Sequence, residues 1–377
     1  MPHIAIVTTS YPISNDGSEA AGSFVADFAQ TLAAHVQVTV IAPNLIAAVK
    51  RPNKSLTVHY FKVSHLPLSL LKLSKPPDLL PIFKTLRTGF TTLELVVQQN
   101  QIDHIFALWA LPSGYWAKRI GKTNNIPYST WALGSDIWSL GKIPVVRTLL
   151  KKVLKSSHSN FADGYLLKQS VESLSKRTCH FLPSTRNLKI SQIKQLSDNP
   201  PYKLAFLGRW HPNKGTDLLV ESLGYLNQAD WQHITEIRIC GGGILENVIK
   251  PAITSLQQQN RPVVLQGYLN KKAAIELFLW ADYVLIPSRI ESIPVVFSDA
   301  MKCQCPIVCM PVGDLPRLIT EYQVGILAKE VSAPAFATAI KQILQQSPQN
   351  FASGLKQVAN EFSLESIVER FLAELFI

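Results

Sequence analysis

Apolar runs and helix-patterned segments alternate from the first residues of the chain onward. The run HIAIVTT at residues 3–9 predicts a buried strand, and the apolar residues from Phe24 to Ala33 recur at helical spacing. VQVTVIAP, at residues 36–43, predicts a second strand that Pro43 closes. A strand, a glycine-containing loop, a helix and a strand in this order form a βαβ unit. Such a unit predicts a parallel sheet covered by helices.

A second series of the same kind follows the polar stretch SQIKQLSDNPP, which is typical of a linker between domains. In this half, KLAFLG, HITEIRICGGG, VVLQGYL, ADYVLIPS and CPIVCM predict strands, and helical patterns separate several of them. The predicted fold class is therefore α/β, with two Rossmann-like domains whose parallel sheets direct their strand ends into a central cleft. We predict an N-terminal domain over 1–190, a C-terminal domain over 191–360, and a helix over 361–377 that packs back towards the N-terminal domain.

Two segments of the first half combine leucines with basic residues. SHLPLSLLKLSKPPDLLPIF, at residues 64–83, has too many prolines for one helix and predicts an irregular loop packed on its domain. RTLLKKVLKSS, at residues 147–157, predicts a basic amphipathic helix docked on the core. For both segments, contact with a lipid surface is the alternative interpretation.

The positive charge of the chain lies entirely in its first half. The net charge is +11, and residues 1–190 hold 21 Lys and Arg against 9 Asp and Glu, which leaves the second half close to neutral. This asymmetry indicates an acidic partner for the first half: a membrane surface, an anionic substrate or a nucleic acid. We expect an anionic membrane rather than a nucleic acid.

The sequence predicts a cytoplasmic protein. The N-terminal segment lacks the features of a signal peptide, and no apolar stretch approaches the 18 residues of a membrane-spanning helix. The cysteines are odd in number, and three of them crowd into KCQCPIVCM, which fits a reducing compartment and buried thiols better than disulfides. The spacing matches no zinc pattern, and we expect neither a metal nor a cofactor.

The first candidate for chemistry is the loop in FLGRWHPNKGTDLLVESL. Arg209 and Lys214 lie between a strand end and a helix N-terminus, next to Gly208 and Gly215. Two cations, backbone N–H groups exposed by glycine and a positive helix end together predict an anion site. The loop matches neither the Walker pattern nor the dinucleotide fingerprint.

The second candidate is the segment PSRIESIPVVFSDAM. Glu291 lies in a short loop after a strand, Pro294 stands where a helix begins, and Asp299 follows one to two turns into that helix. Two carboxylates at the N-terminal end of a helix accept hydrogen bonds only, which suits the hydroxyl groups of a sugar and a ribose.

With these residues the chain resembles the family 4 glycosyltransferases, which have the GT-B fold. The family pattern G-R-x(4)-K-G, a glycine turn and P-S-x-x-E-[GS]-x-P-x-V-x-x-E-A-M is similar to GRWHPNKG, CGGG and PSRIESIPVVFSDAM here. In the first half, SYPISNDGSEAAGSF resembles the glycine loop of the family, and the segment around Gly134-Ser135-Asp136 resembles its acceptor-side turn.

The resemblance implies a retaining glycosyltransferase that moves a sugar from a nucleotide-diphosphate sugar to a glycan- or lipid-linked acceptor. Arg209 and Lys214 would hold the donor diphosphate, and Glu291 would bind the hydroxyls of the donor sugar. Retention would follow from front-face attack, in which the leaving phosphate takes the proton of the acceptor. The family needs no metal and no enzymic nucleophile. Catalysis would come from positioning the acceptor and stabilising the leaving diphosphate.

The resemblance also assigns the rest of the donor site. Asp299 would bind the ribose, the backbone N–H groups of Ile293 and Val295 would lie near phosphate and sugar, and Gly22 would let the first helix approach the donor. Gly208 and Gly242 complete the donor-binding residues. Asp136 either caps a helix or lies near the acceptor.

Three departures from the family pattern are visible. The second glutamate of the family is Asp299 here, about 1.5 Å shorter. Leu133 precedes Gly134 where relatives often have histidine, and Asp314 and Arg317 replace a glycine and a glutamate of a later loop. The alternatives are a non-catalytic protein that binds anionic lipid or nucleic acid, and another GT-B enzyme such as a sugar-nucleotide epimerase.

Overall fold

The computed structural model describes residues 1–12, 20–68, 71–72, 74–190 and 194–376. The chain divides into two compact units. Thr185–Ser363 forms the second unit, and the described residues up to Ser184 form the first together with the chain from Leu364 onwards. Each unit is a mainly parallel sheet with helices packed against it, so the predicted α/β class with two Rossmann-like units is confirmed.

The sheet of the first unit is parallel except at one edge. Its strands are β1 (His3–Val7), β2 (Gln37–Asn44), β3 (Ala48–Asn53), β4 (Leu56–Lys62), β5 (His104–Leu108), β6 (Tyr128–Ala132), β7 (Asn160–Ala162) and β8 (Cys179–Phe181). They follow the order β3-β4-β2-β1-β5-β6-β7-β8, and only β3 and β4 pair in antiparallel fashion among the described residues. Ile4 of β1 pairs with both β2 and β5, and β1 is apolar and buried, as expected of a central strand.

Helices cover both faces of this sheet. They are α1 (Ala20–Leu32), α2 (Pro76–Gln99), α3 (Ser113–Asn124), α4 (Ser135–Trp138), α5 (Pro144–Ser156), α6 (Tyr165–Ser175) and, from the end of the chain, α15 (Leu364–Leu375). Helices α2, α3 and α5 share one apolar cluster, and α1 and α15 share another. The ring centroids of Phe371 in α15 and Phe106 in β5 lie 4.3 Å apart, so the last helix packs on the first unit.

The second unit has the strand order of a dinucleotide-binding fold. Its strands are β9 (Tyr202–Arg209), β10 (Ile234–Gly242), β11 (Val263–Gln266), β12 (Tyr283–Ile286), β13 (Ile307–Cys309) and β14 (Gly325–Leu327). They are parallel and follow the order β11-β10-β9-β12-β13-β14, which reverses its direction between β9 and β12.

The helices of the second unit lie between these strands and after them. They are α7 (Thr216–Leu223), α8 (Gln228–Gln232), α9 (Glu246–Gln258), α10 (Lys271–Trp280), α11 (Val295–Lys302), α12 (Leu315–Tyr322), α13 (Ala333–Ile343) and α14 (Ala352–Glu361). Phe297 of α11 packs against Phe362, with ring centroids 5.7 Å apart.

The stretch predicted as an interdomain linker belongs, as far as it is described, to the second unit. The change of unit occurs at Ser184, ahead of the predicted boundary at 190. Lys194 donates to the carbonyl oxygen of Phe278 over 3.1 Å, and Ser197 donates to Asp282 over 2.6 Å. Side-chain hydrogen bonds fasten this polar stretch to the unit, which composition alone does not reveal.

The prediction of an irregular loop over residues 64–83 is wrong for its second half. Helix α2 begins at Pro76, with Pro76 and Pro77 in the first turn and Pro81 inside the helix. Proline is tolerated at the first turn because the N–H groups there have no intrahelical partner. The leucines that follow are therefore helical residues.

The prediction that the cysteines are buried thiols is confirmed. All five cysteines are buried free thiols. Over the described ranges, none of the helices combines the length and the apolar character that crossing a bilayer requires. In the same ranges, His, Cys, Asp and Glu side chains form no cluster of three suited to a metal ion.

Candidate functional site

Two loops of the second unit meet where its strand order reverses. Strand β9 pairs with β12, and the connections that leave them run to α7 and towards α11. The loops that follow two such neighbouring strands diverge to opposite sides of the sheet and leave a crevice at the carboxyl ends, where ligands bind in this class of fold. Arg209 and Lys214 lie in the first loop and Glu291 in the second, so the strand order brings together residues far apart in the chain.

The loop after β9 is a short, tightly bonded turn. The Asn213 N–H donates to Nδ1 of His211 over 3.2 Å, which caps a single 3-10 turn over Pro212–Lys214. Gly215 then adopts the left-handed conformation, with φ of 67°, and α7 begins at Thr216. Glycine adopts the left-handed conformation readily because it has no Cβ atom. At Gly215 this conformation directs the chain from the turn into the helix.

Polar contacts fasten this loop to the loop after β12. Arg289 forms a bidentate ion pair with Asp217 of α7, at 2.8 and 2.6 Å, and its backbone N–H donates to the Asn213 carbonyl over 2.8 Å. Burial by itself would raise the pKa of the Asp217 carboxyl. The hydrogen bonds from Arg289 and from backbone N–H groups outweigh this effect and hold the pKa below its ordinary value. Gly215 packs so closely on Pro287 that a Cβ atom there would overlap the proline carbonyl oxygen. The two loops therefore form one rigid edge.

Lys214 and Glu291 form an ion pair across these loops. The Lys214 ammonium donates to Oε1 of Glu291, which also accepts from the Ser288 hydroxyl over 2.9 Å. The Glu291 side chain is 11% exposed and that of Lys214 is 30% exposed, so both remain reachable from solvent. A cation and a carboxylate in one half-buried pair can grip an anion and a hydroxyl of the same ligand.

Arg209 adds a second positive charge at the start of the loop that contains Lys214. It is the last residue of β9, it is exposed, and its guanidinium meets no acceptor among the residues that the structure describes. Partial burial, together with the charges of Arg209 and Lys214, lowers the pKa of His211 from its ordinary value. The loop is therefore a region of positive potential, which disfavours the protonated form of His211.

The N-terminus of α11 presents backbone donors to the same edge. Pro294 precedes the helix, and the N–H groups of Ile293 and Val295 meet no backbone acceptor in the described part of the chain. The first N–H groups of a helix have no partner within it and favour a negative ligand. The positions predicted for Ile293 and Val295 are thus compatible with an anion at the helix end.

Asp299 is engaged by a residue that the sequence motifs do not include. Arg186 donates to Oδ2 of Asp299 from its Nε over 2.8 Å and also from Nη2. The Asp299 side chain is 1% exposed and that of Arg186 is 12% exposed, so Arg186 is the outer member of the pair. Lys302, one turn further along α11, donates to the Arg186 carbonyl over 2.6 Å. A ribose hydroxyl can reach Asp299 only if Arg186 moves or joins the contact.

Several buried polar atoms at this edge have no hydrogen-bond partner among the described residues. They are the hydroxyls of Thr216 and Ser292, the indole N–H of Trp210 and Oδ1 of Asp299. An unsatisfied buried polar atom costs free energy, and native proteins contain few of them. Their positions in the loops after β9 and β12, at the start of α7 and in α11 indicate a site that a polar ligand completes.

Two of the predicted glycines, Gly208 and Gly242, pack closely against aromatic rings. Gly242 at the end of β10 pairs with Arg209, its carbonyl accepts from the Trp210 N–H over 2.8 Å, and a Cβ atom there would lie 2.9 Å from the Tyr268 ring. Gly208 packs on the ring of Phe206, where a Cβ atom would lie at 3.1 Å. Both belong to strand ends that flank the cationic loop.

Gly22 and Asp136 lie in the first unit. Gly22 lets α1 approach the backbone of Tyr11, since a Cβ atom would lie 2.9 Å from its nitrogen. The remainder of the predicted glycine loop, residues 13–19, is outside the described residues. The structure therefore locates Gly22 against a neighbouring loop of its own unit.

Asp136 serves the backbone of its own unit. Its carboxylate accepts from the N–H groups of Ala110, Leu133 and Ile137, at 2.6, 3.3 and 3.1 Å. Full burial raises the pKa of the carboxyl to about 6, although these hydrogen bonds oppose the rise. Asp136 does not cap α4, since Gly134 precedes that helix. Its buried carboxylate instead joins the loop after β5 to the loop after β6.

Sequence patterns did not identify Arg186, Ser288 or the Arg289–Asp217 pair. Ser288 and Arg289 lie inside the matched segment PSRIES, and Asp217 follows the matched loop, so a search for charged partners around the motif could have found them. Arg186 lies far from both motifs in the chain, 113 residues before Asp299, and no sequence signal marks it.

One family model matches the part of the chain that contains the site. Residues 189–359, most of the second unit, match the family model of the glycosyl transferases group 1. The chain is 29% identical over 165 residues to a D-inositol 3-phosphate glycosyltransferase of Corynebacterium aurimucosum, which covers 42% of this chain and 39% of that relative. The match thus spans about two fifths of that relative.

Two longer similarities cover nearly the whole chain. A GDP-mannose-dependent alpha-(1-6)-phosphatidylinositol monomannoside mannosyltransferase of Mycolicibacterium smegmatis is 23% identical over 374 residues, 93% of this chain and 91% of that relative. The solved structure of sucrose-phosphate synthase from Thermosynechococcus elongatus superposes with a TM-score of 0.79 at 18% identity, over 100% of this chain and 99% of the other. The latter likeness shows a shared fold.

Proposed function

We propose that this protein transfers a sugar from a nucleotide-diphosphate sugar to a glycan- or lipid-linked acceptor, because its residues 189–359 match the model of the group 1 glycosyltransferases. The observation that carries the proposal is the combination of the Lys214–Glu291 pair with unpartnered buried polar atoms on the segments that follow β9 and β12, where the strand order of the second unit reverses. Cations, a carboxylate, hydroxyls and free helix N–H groups together match the phosphates and hydroxyls of a nucleotide sugar.

Each group of the site has a role in this proposal. Lys214 and Arg209 bind the diphosphate, and the N–H groups at the start of α11 face the phosphate and the sugar. Glu291 exchanges its bond with Lys214 for bonds to sugar hydroxyls, while Ser288 keeps its carboxylate oriented. The Lys214 ammonium can then bind the leaving diphosphate, where negative charge accumulates in the transition state.

The reaction we propose is retaining and independent of a metal. The acceptor hydroxyl attacks the anomeric carbon from the face that the diphosphate leaves, and a phosphate oxygen takes the hydroxyl proton. The bond to the diphosphate breaks as the new glycosidic bond forms, so the atoms balance without an enzymic nucleophile. Arg209 and Lys214 supply the positive charge that stabilises the leaving group.

We place the protein in the cytoplasm and at the cytoplasmic face of a membrane, with a lipid-linked acceptor as the first choice. The name of the mycolicibacterial relative, which covers nearly the whole chain, describes an acceptor that carries a phosphatidylinositol. The basic excess of residues 1–190 supports an anionic surface on the acceptor side.

Nucleotide binding is the first test of this function. One of UDP, GDP and ADP is expected to raise the midpoint of thermal unfolding, because a ligand present at 100 times its Kd stabilises the folded state by about 2.7 kcal/mol. Turnover of the corresponding nucleotide sugars then distinguishes a transferase from a non-catalytic binding protein, and product analysis excludes an epimerase. If none of the nucleotides shifts the unfolding midpoint, the proposal fails.

We further expect Arg186 to act as a positioning residue for the ribose end of the site. Arg186 holds Oδ2 of Asp299 and leaves Oδ1 unpartnered. Arg186→Ala is expected to reduce the preference for a nucleoside diphosphate over its 2′,3′-dideoxy analogue about tenfold, because Asp299 loses its orientation. Binding of the dideoxy analogue is expected to stay unchanged, as measured by calorimetry.

The double variant Arg186→Ala/Asp299→Asn controls for folding in this experiment. It removes both members of the buried pair and leaves no uncompensated charge. The same loss of preference in the double variant supports the positioning role. Tighter binding of the nucleoside diphosphate by Arg186→Ala would show instead that Arg186 obstructs the site.

A further inference from the structure

The first three turns of α2 expose apolar side chains. Leu79, Leu80, Phe83 and Leu86 are exposed, with Leu80 at 60% and Phe83 at 62%. Of residues 76–87, only Thr85 is buried, whereas the other buried residues of α2 lie at Gly89 and beyond. Single exposed leucines are common on protein surfaces, but four large apolar side chains within eight residues form a patch that marks an interaction site. We call these four residues the α2 patch.

The α2 patch has the geometry of an amphipathic surface. Leu79, Phe83 and Leu86 follow one another at intervals of four and three residues, so they line one face of the helix, and Leu80 widens that face. Lys84 and Arg87 are exposed in the same turns, and Lys75 precedes the helix. Asp78 is the only acid of residues 76–87 and accepts from the Lys72 N–H over 2.8 Å.

Basic residues extend this surface over the neighbouring helices. Helix α3 packs against α2, where Gly89 admits the ring of Trp116, and α3 also packs against α5. Arg119 of α3 lies over the Phe90 ring of α2, with its guanidinium carbon 5.6 Å from the ring centroid. The three helices therefore form one continuous outer layer.

Positive charges are crowded on this layer. Lys122 of α3 and Arg147, Lys151, Lys152 and Lys155 of α5 are exposed. The Lys118 ammonium donates to the Lys152 carbonyl over 2.9 Å. Its pKa is lowered mainly by partial burial and also by the nearby charges of Lys152 and Lys122. Residues 113–156 contain a single acid, the buried Asp136. The layer thus shows unbalanced positive charge to its surroundings.

We propose that the α2 patch inserts into the interfacial region of an anionic lipid bilayer, with the lysines and arginines of α3 and α5 against the headgroups. Apolar side chains surrounded by basic residues are typical of helices that lie in a membrane interface. Each basic residue near an anionic surface adds to the attraction, which falls with salt. A protein partner would have to supply both an apolar cavity and a broad acidic surface, whereas an anionic bilayer offers both.

The proposed lipid contact deepens the proposed function, and only its role in reaching an acceptor rests on that function. It identifies the surface that brings the enzyme to a lipid-linked acceptor. Binding of the surface to lipid requires neither a nucleotide sugar nor turnover. Vesicle binding and nucleotide binding can therefore fail independently.

The test is flotation of the full chain with vesicles of phosphatidylcholine alone or with about one third phosphatidylglycerol. The wild type is expected to float with the anionic vesicles only, and less so as salt rises. Leu80→Ser/Phe83→Ser is expected to lower the vesicle-bound fraction at least about tenfold, because it removes the two most exposed apolar groups of the patch. Lys151→Glu/Lys152→Glu is expected to lower it to a similar extent through charge.

Two controls make the outcome decisive. Ile244→Ser replaces an apolar residue of the second unit that is even more exposed, at 74%, and is expected to leave vesicle binding unchanged. All variants are expected to keep the thermal unfolding midpoint and the nucleotide-induced shift of the wild type. Equal flotation of Leu80→Ser/Phe83→Ser and the wild type would overturn the proposal. So would equal binding to neutral vesicles, or a wild-type dimer that this variant dissolves, since the patch would then meet a second copy.

Discussion

Replacing Lys214 with alanine is expected to lower kcat/KM for sugar transfer by about 10²- to 10³-fold, with the protein still folded. Lys214 contributes a charge that the transition state uses more than the ground state does, because the diphosphate gains negative charge as it leaves. Its alanine variant also leaves the Glu291 carboxylate, 11% exposed, without its cationic partner. The rate is measured by release of nucleoside diphosphate from the nucleotide sugar that the wild type consumes.

A matched lysine outside the site tests whether the loss of any positive charge lowers the rate. Lys250 pairs with Glu246 on the exposed side of α9, in the same unit. Lys250→Ala removes the same charge and a similar ion pair, and it is expected to keep the wild-type rate within about twofold, since exposed pairs contribute little. If both alanine variants lose activity equally, Lys214 has no special role in the reaction.

The double variant Lys214→Ala/Glu291→Gln addresses stability. It removes both charges, and Ser288 can still donate to the amide oxygen at position 291. Any loss of stability in Lys214→Ala is expected to be largely restored, because no carboxylate remains unpaired. The rate of transfer is expected to stay as low as in Lys214→Ala. Recovery of transfer in the double variant would mean that Lys214 only compensates Glu291.

Gly215→Ala is expected to destabilise the second unit by about 3 kcal/mol. The backbone of Gly215 has φ of 67°, which disfavours any residue with a Cβ atom, and that atom would overlap the Pro287 carbonyl oxygen. The loops after β9 and β12 would have to separate, which would also part Lys214 from Glu291. We expect a lower midpoint of thermal unfolding together with a weaker nucleotide-induced shift.

Gly267→Ala is the control for this substitution. Gly267 lies in the same unit, and no atom comes within 4 Å of a Cβ built there. It is expected to change the free energy of unfolding by less than about 0.5 kcal/mol. A Gly215→Ala protein as stable as the Gly267→Ala protein would show that the two loops are not held in the close contact described.

Much of the fold could be predicted from the chain because its signals are local. A buried parallel strand appears as an unbroken apolar run, as in HIAIV, and a covering helix appears as apolar residues at helical spacing. The loop that contains Gly215 could be predicted because glycine, basic residues and a helix start lie within a few positions of one another. The prolines of α2 misled the prediction, since the same residues that interrupt a helix also begin one.

The partners within the site could not be predicted in the same way. Lys214 and Glu291 are 77 residues apart and meet because β9 and β12 are neighbours, which depends on the order of the whole sheet. The pairing of Arg186 with Asp299 depends in addition on how the chain enters the second unit. Both contacts are long-range, and the residue types alone allow many other partners.

The sequence by itself determined the two α/β units, the cationic loop at Arg209 and Lys214, and the carboxylates Glu291 and Asp299, because each is encoded within one short segment. Only the tertiary structure decided that Arg186 covers Asp299, that Asp136 binds backbone groups, and that the first turns of α2 expose an apolar patch beside a basic helix layer. Burial and pairing depend on which elements lie side by side, and that follows from packing of the whole unit.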